Sequence, residues 1–165
     1  MPRPHFRGRT KARGVEKRKR RESRMCLIVF AYRAHPDWRL VVAANRDEFY
    51  RRPTAPAGFW PDCPAVLAGR DLEHMGTWLG VTGAGRFAAL TNYRDPAANR
   101  PDAKSRGELV KNYLCGSLPP AAYLEEIRRA AGDYNGFNLI VGDAAGLYYY
   151  SNLSGEATAV PPGVH

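Results

Sequence analysis

The sequence predicts an α+β fold with antiparallel sheets and two helices on one face. Three observations carry that prediction. Apolar strand-like runs come in pairs joined by short turn signals, so hairpins dominate. The two segments with helical spacing lie together in the middle of the chain, with strands before and after them. No alternating strand–helix–strand repeat appears, which excludes a parallel, doubly wound sheet.

The elements follow in order. Cys26 to Tyr32 is a short apolar run and reads as a buried strand. Ala34-His35-Pro36-Asp37 is turn chemistry, and Arg39 to Ala44, β-branched at Val41 and Val42, returns as its partner. The stretch from Arg52 to Pro64 carries four prolines and is expected to be a long loop, a lid or pocket wall. Ala65 to Ala68 reads as a short strand. Thr77 to Thr82 and Arg86 to Tyr93 form a hairpin over Gly83-Ala84-Gly85. Ser105-Arg106-Gly107-Glu108 has the spacing of a capping box, with Ser105 as N-cap. The helix it opens runs to about Cys115, with Leu109, Val110, Tyr113 and Leu114 on one face. A second helix follows Pro119-Pro120, turns Leu124, Ile127 and Ala131 inward, and ends at Gly132. Phe137 to Val141 and Leu147 to Ser151 are a final hairpin. Pro161 to His165 reads as the middle of a loop, so the folded unit over residues 25–165 is expected to be incomplete at its C-terminal side.

The net charge of +9 over 165 residues suggests nucleic acid at first sight. It is confined to one place. Residues 1–24 hold eleven Lys or Arg and two Glu, which accounts for all of it, while the remainder holds fourteen basic and fourteen acidic residues. The leader has too few apolar residues to fold alone. It reads first as codons upstream of a true start at Met25, and otherwise as a disordered basic arm for nucleic acid or acidic lipid. An arm of that kind predicts binding with a steep salt dependence that vanishes when residues 1–24 are deleted.

No apolar run approaches the roughly 20 residues that span a bilayer. Cys26, Cys63 and Cys115 are odd in number and widely spaced, which argues against a disulfide framework and for a reducing, cytoplasmic compartment. Cys63, in Asp62-Cys63-Pro64, reads as an ordinary loop residue despite the Cys-Pro pair of the kind linked to haem. Cys115 reads as a helix-end packing residue. No Cys/His spacing resembles a metal site, and no cofactor is called for by the residues themselves.

The chemistry concentrates at Cys26 and at Asn45-Arg46-Asp47-Glu48, nineteen residues later. If the chain begins at Met25 and that residue is removed, Cys26 carries a free α-amine. Such an amine, with a pKa near 8, can take the thiol proton directly or through one water. Antiparallel pairing of the first two strands puts Cys26 and Asn45 at the same end. There Asp47 can hold the amine or thiol, and Arg46 can bind a carboxylate or polarise a carbonyl. Asn92 ends another strand, where its amide can donate to a developing oxyanion. Asn138 is a polar residue in an apolar strand, either structural glue or a pocket group. Trp78, a core residue by its surroundings, is carried with Asn45 and Asn138 as substrate-binding. The plainer reading of Cys26 is a buried strand cysteine.

Together these residues resemble the NRDE family, also called the transport and Golgi organization protein 2 family. The likeness rests on Met25-Cys26-Leu27-Ile28, Asn45-Arg46-Asp47-Glu48, Thr77-Trp78-Leu79-Gly80-Val81, Ala89-Leu90-Thr91-Asn92-Tyr93-Arg94, Ser105-Arg106-Gly107-Glu108-Leu109-Val110 and Tyr134-Asn135-Gly136-Phe137-Asn138-Leu139. The resemblance implies a four-layer αββα sandwich of the N-terminal-nucleophile hydrolase type. It implies a cysteine amidase or acyl hydrolase with Cys26 as nucleophile and Arg46, Asp47 and Asn92 completing the site. It also implies links to Golgi organisation, lipid or coenzyme A homeostasis and haem handling. The alternative on the same fold is a non-catalytic carrier of haem or an acyl ligand. Either way the expected partner is a small amide or acyl molecule.

Overall fold

A computed structural model describes residues 26–165. The basic leader expected over residues 1–24 lies outside the described residues. The chain is α+β: ten strands and two α-helices among the described residues, every paired strand antiparallel to its neighbour.

β1 (Leu27–Tyr32) and β2 (Leu40–Asn45) form the expected hairpin, in a register that sets Leu27 opposite Asn45. β10 (Gly163–Val164) adds to the other side of β1, pairing with Ala31 and Tyr32. That corrects the reading of residues 161–165 as loop: His165 and Phe30 also exchange both backbone hydrogen bonds, at 2.8 and 2.9 Å. Two residues with one proline pair before them carry no periodicity from which a strand could be read.

A second sheet has seven strands in chain order: β3 (Thr54–Trp60), β4 (Cys63–Asp71), β5 (Leu79–Thr82), β6 (Phe87–Asn92), β7 (Phe137–Gly142), β8 (Leu147–Ser151) and β9 (Ala157–Ala159). The expected proline loop at 52–64 is therefore mostly strand. β3 is the sheet edge and its register slips around Pro56 between Ala55 and Gly58, two settings in which a strand tolerates proline; Pro64 sits at the start of β4. Trp60 lies on this strand as a core residue, its Nε1 donating to the Ala68 carbonyl at 3.1 Å.

α1 (Gly107–Cys115) and α2 (Pro120–Arg129) connect β6 to β7 and cover one face of the large sheet. Leu109, Val110, Tyr113 and Leu114 form the buried stripe of α1, at the spacing expected. The capping box does not form. Glu108 N donates to Ser105 O at 3.1 Å and Leu109 N to Arg106 O at 3.1 Å, so a tight first turn takes the amides that the Ser105 side chain would cap. α2 stops at Arg129, and Gly132 falls in a 3-10 turn, Ala131–Asp133, just beyond it.

Two cores result. One lies between the helices and the large sheet and includes Val66, Leu109, Phe137, Leu139 and Val141, all fully buried. The other lies between the sheets, where Phe30 and Tyr32 of β1 meet Phe87, Ala89, Ile140 and Leu147. The described residues thus stack in three layers: helices, seven-stranded sheet, three-stranded sheet.

Cys63 and Cys115 are bonded as a disulfide between β4 and the end of α1, Cα–Cα 6.0 Å. This overturns the expectation of unpaired thiols at both positions. The partners are 52 residues apart and meet only because α1 packs back onto β4. Cys26 is the free cysteine among the described residues.

Candidate functional site

Residues at the ends of β1, β2, β4 and β6 and at the start of α1 line a cavity of about 460 Å³. The hairpin register brings Cys26 to the Asn45-Arg46-Asp47-Glu48 segment. Asp47 N–H donates to Cys26 Sγ at 3.4 Å, and the thiol in turn lies 3.8 Å from Asp47 O. The contact to the sulfur is thus made by the Asp47 backbone.

Arg46 also lines the cavity, but its Nη2 lies 3.0 Å from Glu48 Oε2. Glu48 takes a second bond from Phe49 N at 2.9 Å and lies 3.9 Å from Arg52. Arg52 is held more tightly by Asp71, at 2.6 Å from Nη2 and 3.1 Å from Nε. Burial works against the Asp71 charge. The Arg52 hydrogen bond and the backbone N–H groups of Glu73 and His74 overcome it, so this carboxyl titrates below its usual range.

The structure places Cys26, Arg46, Asp47, Trp78 and Asn92 on one cavity wall. Asn92 is exposed at the end of β6. Asn138 is elsewhere: its Nδ2 donates to Thr91 Oγ1 at 3.2 Å and its Oδ1 accepts from Tyr149 OH at 2.8 Å. It lines a second, largely apolar cavity of about 400 Å³ between the two sheets, walled by Ile28, Phe30, Ile140 and Val160. Asn45 is exposed at the end of β2 and lines neither cavity.

Sequence reasoning did not place Arg52, Arg70, Asp71, Arg100, Lys104 and Arg106 at the site, yet all six line the first cavity. Arg106 was visible in the Ser105-Arg106-Gly107-Glu108 run, but that spacing spoke only of a cap. It is brought there by a close backbone crossing. Met75, at φ 55°, turns the chain into Gly76, which lies against Gly107 with Thr77 N donating to Gly107 O at 3.2 Å. Arg106 Nη1 then reaches the Gly136 carbonyl at 2.9 Å.

Among the described residues no group of three or more His, Cys, Asp or Glu is gathered as for a metal ion, and no helix is long and apolar enough to cross a membrane.

Fold and site together define an antiparallel α+β protein that presents a cysteine thiol on the wall of a polar, arginine-rich cavity. Residues 25–165 match the family Transport and Golgi organisation 2, and the chain belongs to that family. It is 41% identical over 154 residues to the Transport and Golgi organization protein 2 homolog of Bos taurus, covering 86% of this chain and 55% of the relative. The Homo sapiens homolog is 42% identical over 140 residues, 78% of this chain and 50% of the relative. The Drosophila melanogaster Transport and Golgi organization protein 2 is 32% identical over 128 residues, 70% of this chain and 45% of the relative. The chain spans about half the length of these curated relatives.

Proposed function

We propose that this chain carries the nucleophile and the pocket of a cysteine N-terminal-nucleophile amidase or acyl hydrolase. The observation that carries the reading is the Cys26 thiol, fixed by Asp47 N–H at 3.4 Å on a cavity wall shared with Arg46 and Asn92. In the proposed reaction the sulfur attacks a carbonyl and the Cys26 α-amine accepts the thiol proton. That proton passes to the departing amine as the C–N bond breaks, and water then cleaves the thioester. Asn92 serves the developing oxyanion, and Arg46 with Glu48 orients the substrate. The αββα sandwich is proposed with it. The outer face of the small sheet carries exposed Leu27, Val29 and Val41, which suits a covering fourth layer.

The test uses protein purified from its own cells. Its intact mass should begin at Cys26, and an activated-ester probe should acylate that residue. Cys26→Ala should fold with an unchanged circular dichroism spectrum and lose the label; labelling that survives the substitution sinks the reading.

A second reading, a carrier of an apolar ligand, is favoured by the intersheet cavity. An acyl chain suits its walls better than haem does. His165, the imidazole on that wall, is stacked on Phe30 and has Nε2 3.0 Å from the Pro161 carbonyl. A haem titration without a Soret shift removes the haem form. A cytoplasmic location is also proposed. It has lost the support of unpaired cysteines, and it predicts that maleimide trapping in cells finds Cys63 and Cys115 reduced.

A further inference from the structure

The cavity wall carries six guanidinium or ammonium groups, and four are neutralised by carboxylates. Arg46 pairs with Glu48 at 3.0 Å and Arg52 with Asp71 at 2.6 Å. Arg70 pairs with Asp62 through both guanidinium nitrogens, and Lys104 with Asp133 at 2.7 Å. Arg100 is exposed and spends Nη2 on the carbonyls of Gly132 and Tyr134, at 2.6 and 3.2 Å. Arg106 differs from all of these. It is half-buried, it makes one bond, from Nη1 to Gly136 O at 2.9 Å, and it forms no ion pair among the described residues.

A guanidinium has five N–H donors in a planar fork. Withdrawing it from water without a counter-charge is costly, and an incoming oxyanion recovers that cost through charge-assisted, two-pronged bonds. Glu48 acts on Arg106 only at longer range, being held by Arg46 and the Phe49 amide. Burial pulls the Arg106 pKa down, partly offset by Glu48; the group remains a cation at neutral pH.

We propose that Arg106 is the anchor of an oxyanion subsite, so that the molecule bound in this cavity carries a carboxylate or phosphate group. The inference rests on the cavity being the substrate site. It moves the recognition of negative charge from Arg46, which Glu48 already holds, to a residue sixty positions further along the chain. The substrate of the proposed hydrolase is accordingly an amide or acyl compound that also carries an acidic group.

The experiment is calorimetric titration of the full chain with glutarate, with inorganic phosphate, and with glutaramide as the neutral control. Four proteins are compared: parent, Cys26→Ala, Arg106→Gln and Arg106→Lys. Glutarate or phosphate should bind the parent and Cys26→Ala alike, and glutaramide should not. The tighter of the two anions names the oxyanion. Arg106→Gln should weaken binding roughly tenfold or more, the usual weight of a hydrogen bond to a charged group. Arg106→Lys, which keeps the charge but not the fork, should weaken it by a smaller factor. Anion binding that is unchanged in Arg106→Gln, or absent from the folded parent, overturns the proposal. Should the Gln variant not fold, the Lys variant decides: weaker binding supports the subsite and undiminished binding overturns it. Anion binding retained alongside failure of Cys26 acylation leaves the subsite standing and removes the hydrolase reading.

Discussion

Replacing Gly76 by alanine tests the backbone crossing that brings α1 to the site. A Cβ built on Gly76 falls 2.6 Å from the carbonyl carbon of Gly107, 2.8 Å from its oxygen and 3.0 Å from its Cα. Carbon atoms rest at about 3.5–4.0 Å, so the strands of chain must part by about 1 Å. The obstructing atoms are backbone and cannot rotate aside. Overpacking of this kind costs about 1–3 kcal/mol. Parting the two segments also lengthens the 3.2 Å bond from Thr77 N to Gly107 O, worth about 1 kcal/mol. The sum, roughly 2–4 kcal/mol, corresponds to a fall in Tm of roughly 4–16 °C for a domain of this size. Two other glycines make the internal controls. Gly83 has nothing within 4 Å of a new Cβ, so Gly83→Ala should stay within about 0.5 kcal/mol. Gly85 is equally open but sits at φ 81°, so Gly85→Ala should cost about 1 kcal/mol from backbone strain alone. Thermal and urea unfolding followed by circular dichroism gives all three values. The reasoning fails if Gly76→Ala unfolds within 0.5 kcal/mol, in the range of about ±0.5 kcal/mol that neutral substitutions span, or if Gly83→Ala falls as far as Gly76→Ala.

Three further outcomes are expected. Burial pushes the Tyr113 hydroxyl up to about 12, against the pull of Arg86 whose guanidinium lies 4.0 Å from the ring centroid. Because the folded pKa is raised, the neutral form's stability is whole below pH 10 and drains away between about pH 10 and 12, roughly 2–3 kcal/mol in all. In Tyr113→Phe the alkaline loss read by urea unfolding should shrink by that amount, the remainder coming from Tyr123, Tyr134 and Tyr150, whose hydroxyls burial also raises. Asp71 has the opposite sign: its folded pKa is depressed, so its contribution is present above about pH 4, the unfolded value, and is lost as pH falls through the folded one. Asp71→Asn should cost about 1–3 kcal/mol at neutral pH and flatten the acid limb of the stability profile. Reduction of Cys63–Cys115, or Cys63→Ser, should lower stability by about 2–4 kcal/mol, given the 52-residue loop the bond closes; equal Tm values with and without dithiothreitol would count against the bond.

The sequence by itself was enough for the parts of the fold whose signal is local. The short apolar runs of β1 and β2 on either side of the Ala34–Asp37 turn set the hairpin, and with it the approach of Cys26 to Asp47. The 3.6-residue spacing of Leu109, Val110, Tyr113 and Leu114 set the buried face of α1. Where one local rule competed with a tertiary one, the local rule lost. Prolines argue against a strand until the strand proves to be a sheet edge, as β3 is, and Ser105 argues for a cap until a tight first turn takes its amides. The cavity wall was beyond local reading for a different reason. Arg52, Arg70 and Arg106 come from three separate segments, and the spacing between them in sequence carries no record of which carboxylate neutralises which guanidinium. Antiparallel pairing of seven strands, and the packing of two helices across them, decided that Cys63 meets Cys115, that Asp71 holds Arg52, and that Arg106 is left half-buried with its charge unmatched. Pattern along a chain records which side of an element is apolar; only burial of those sides against one another determines which polar groups are carried together.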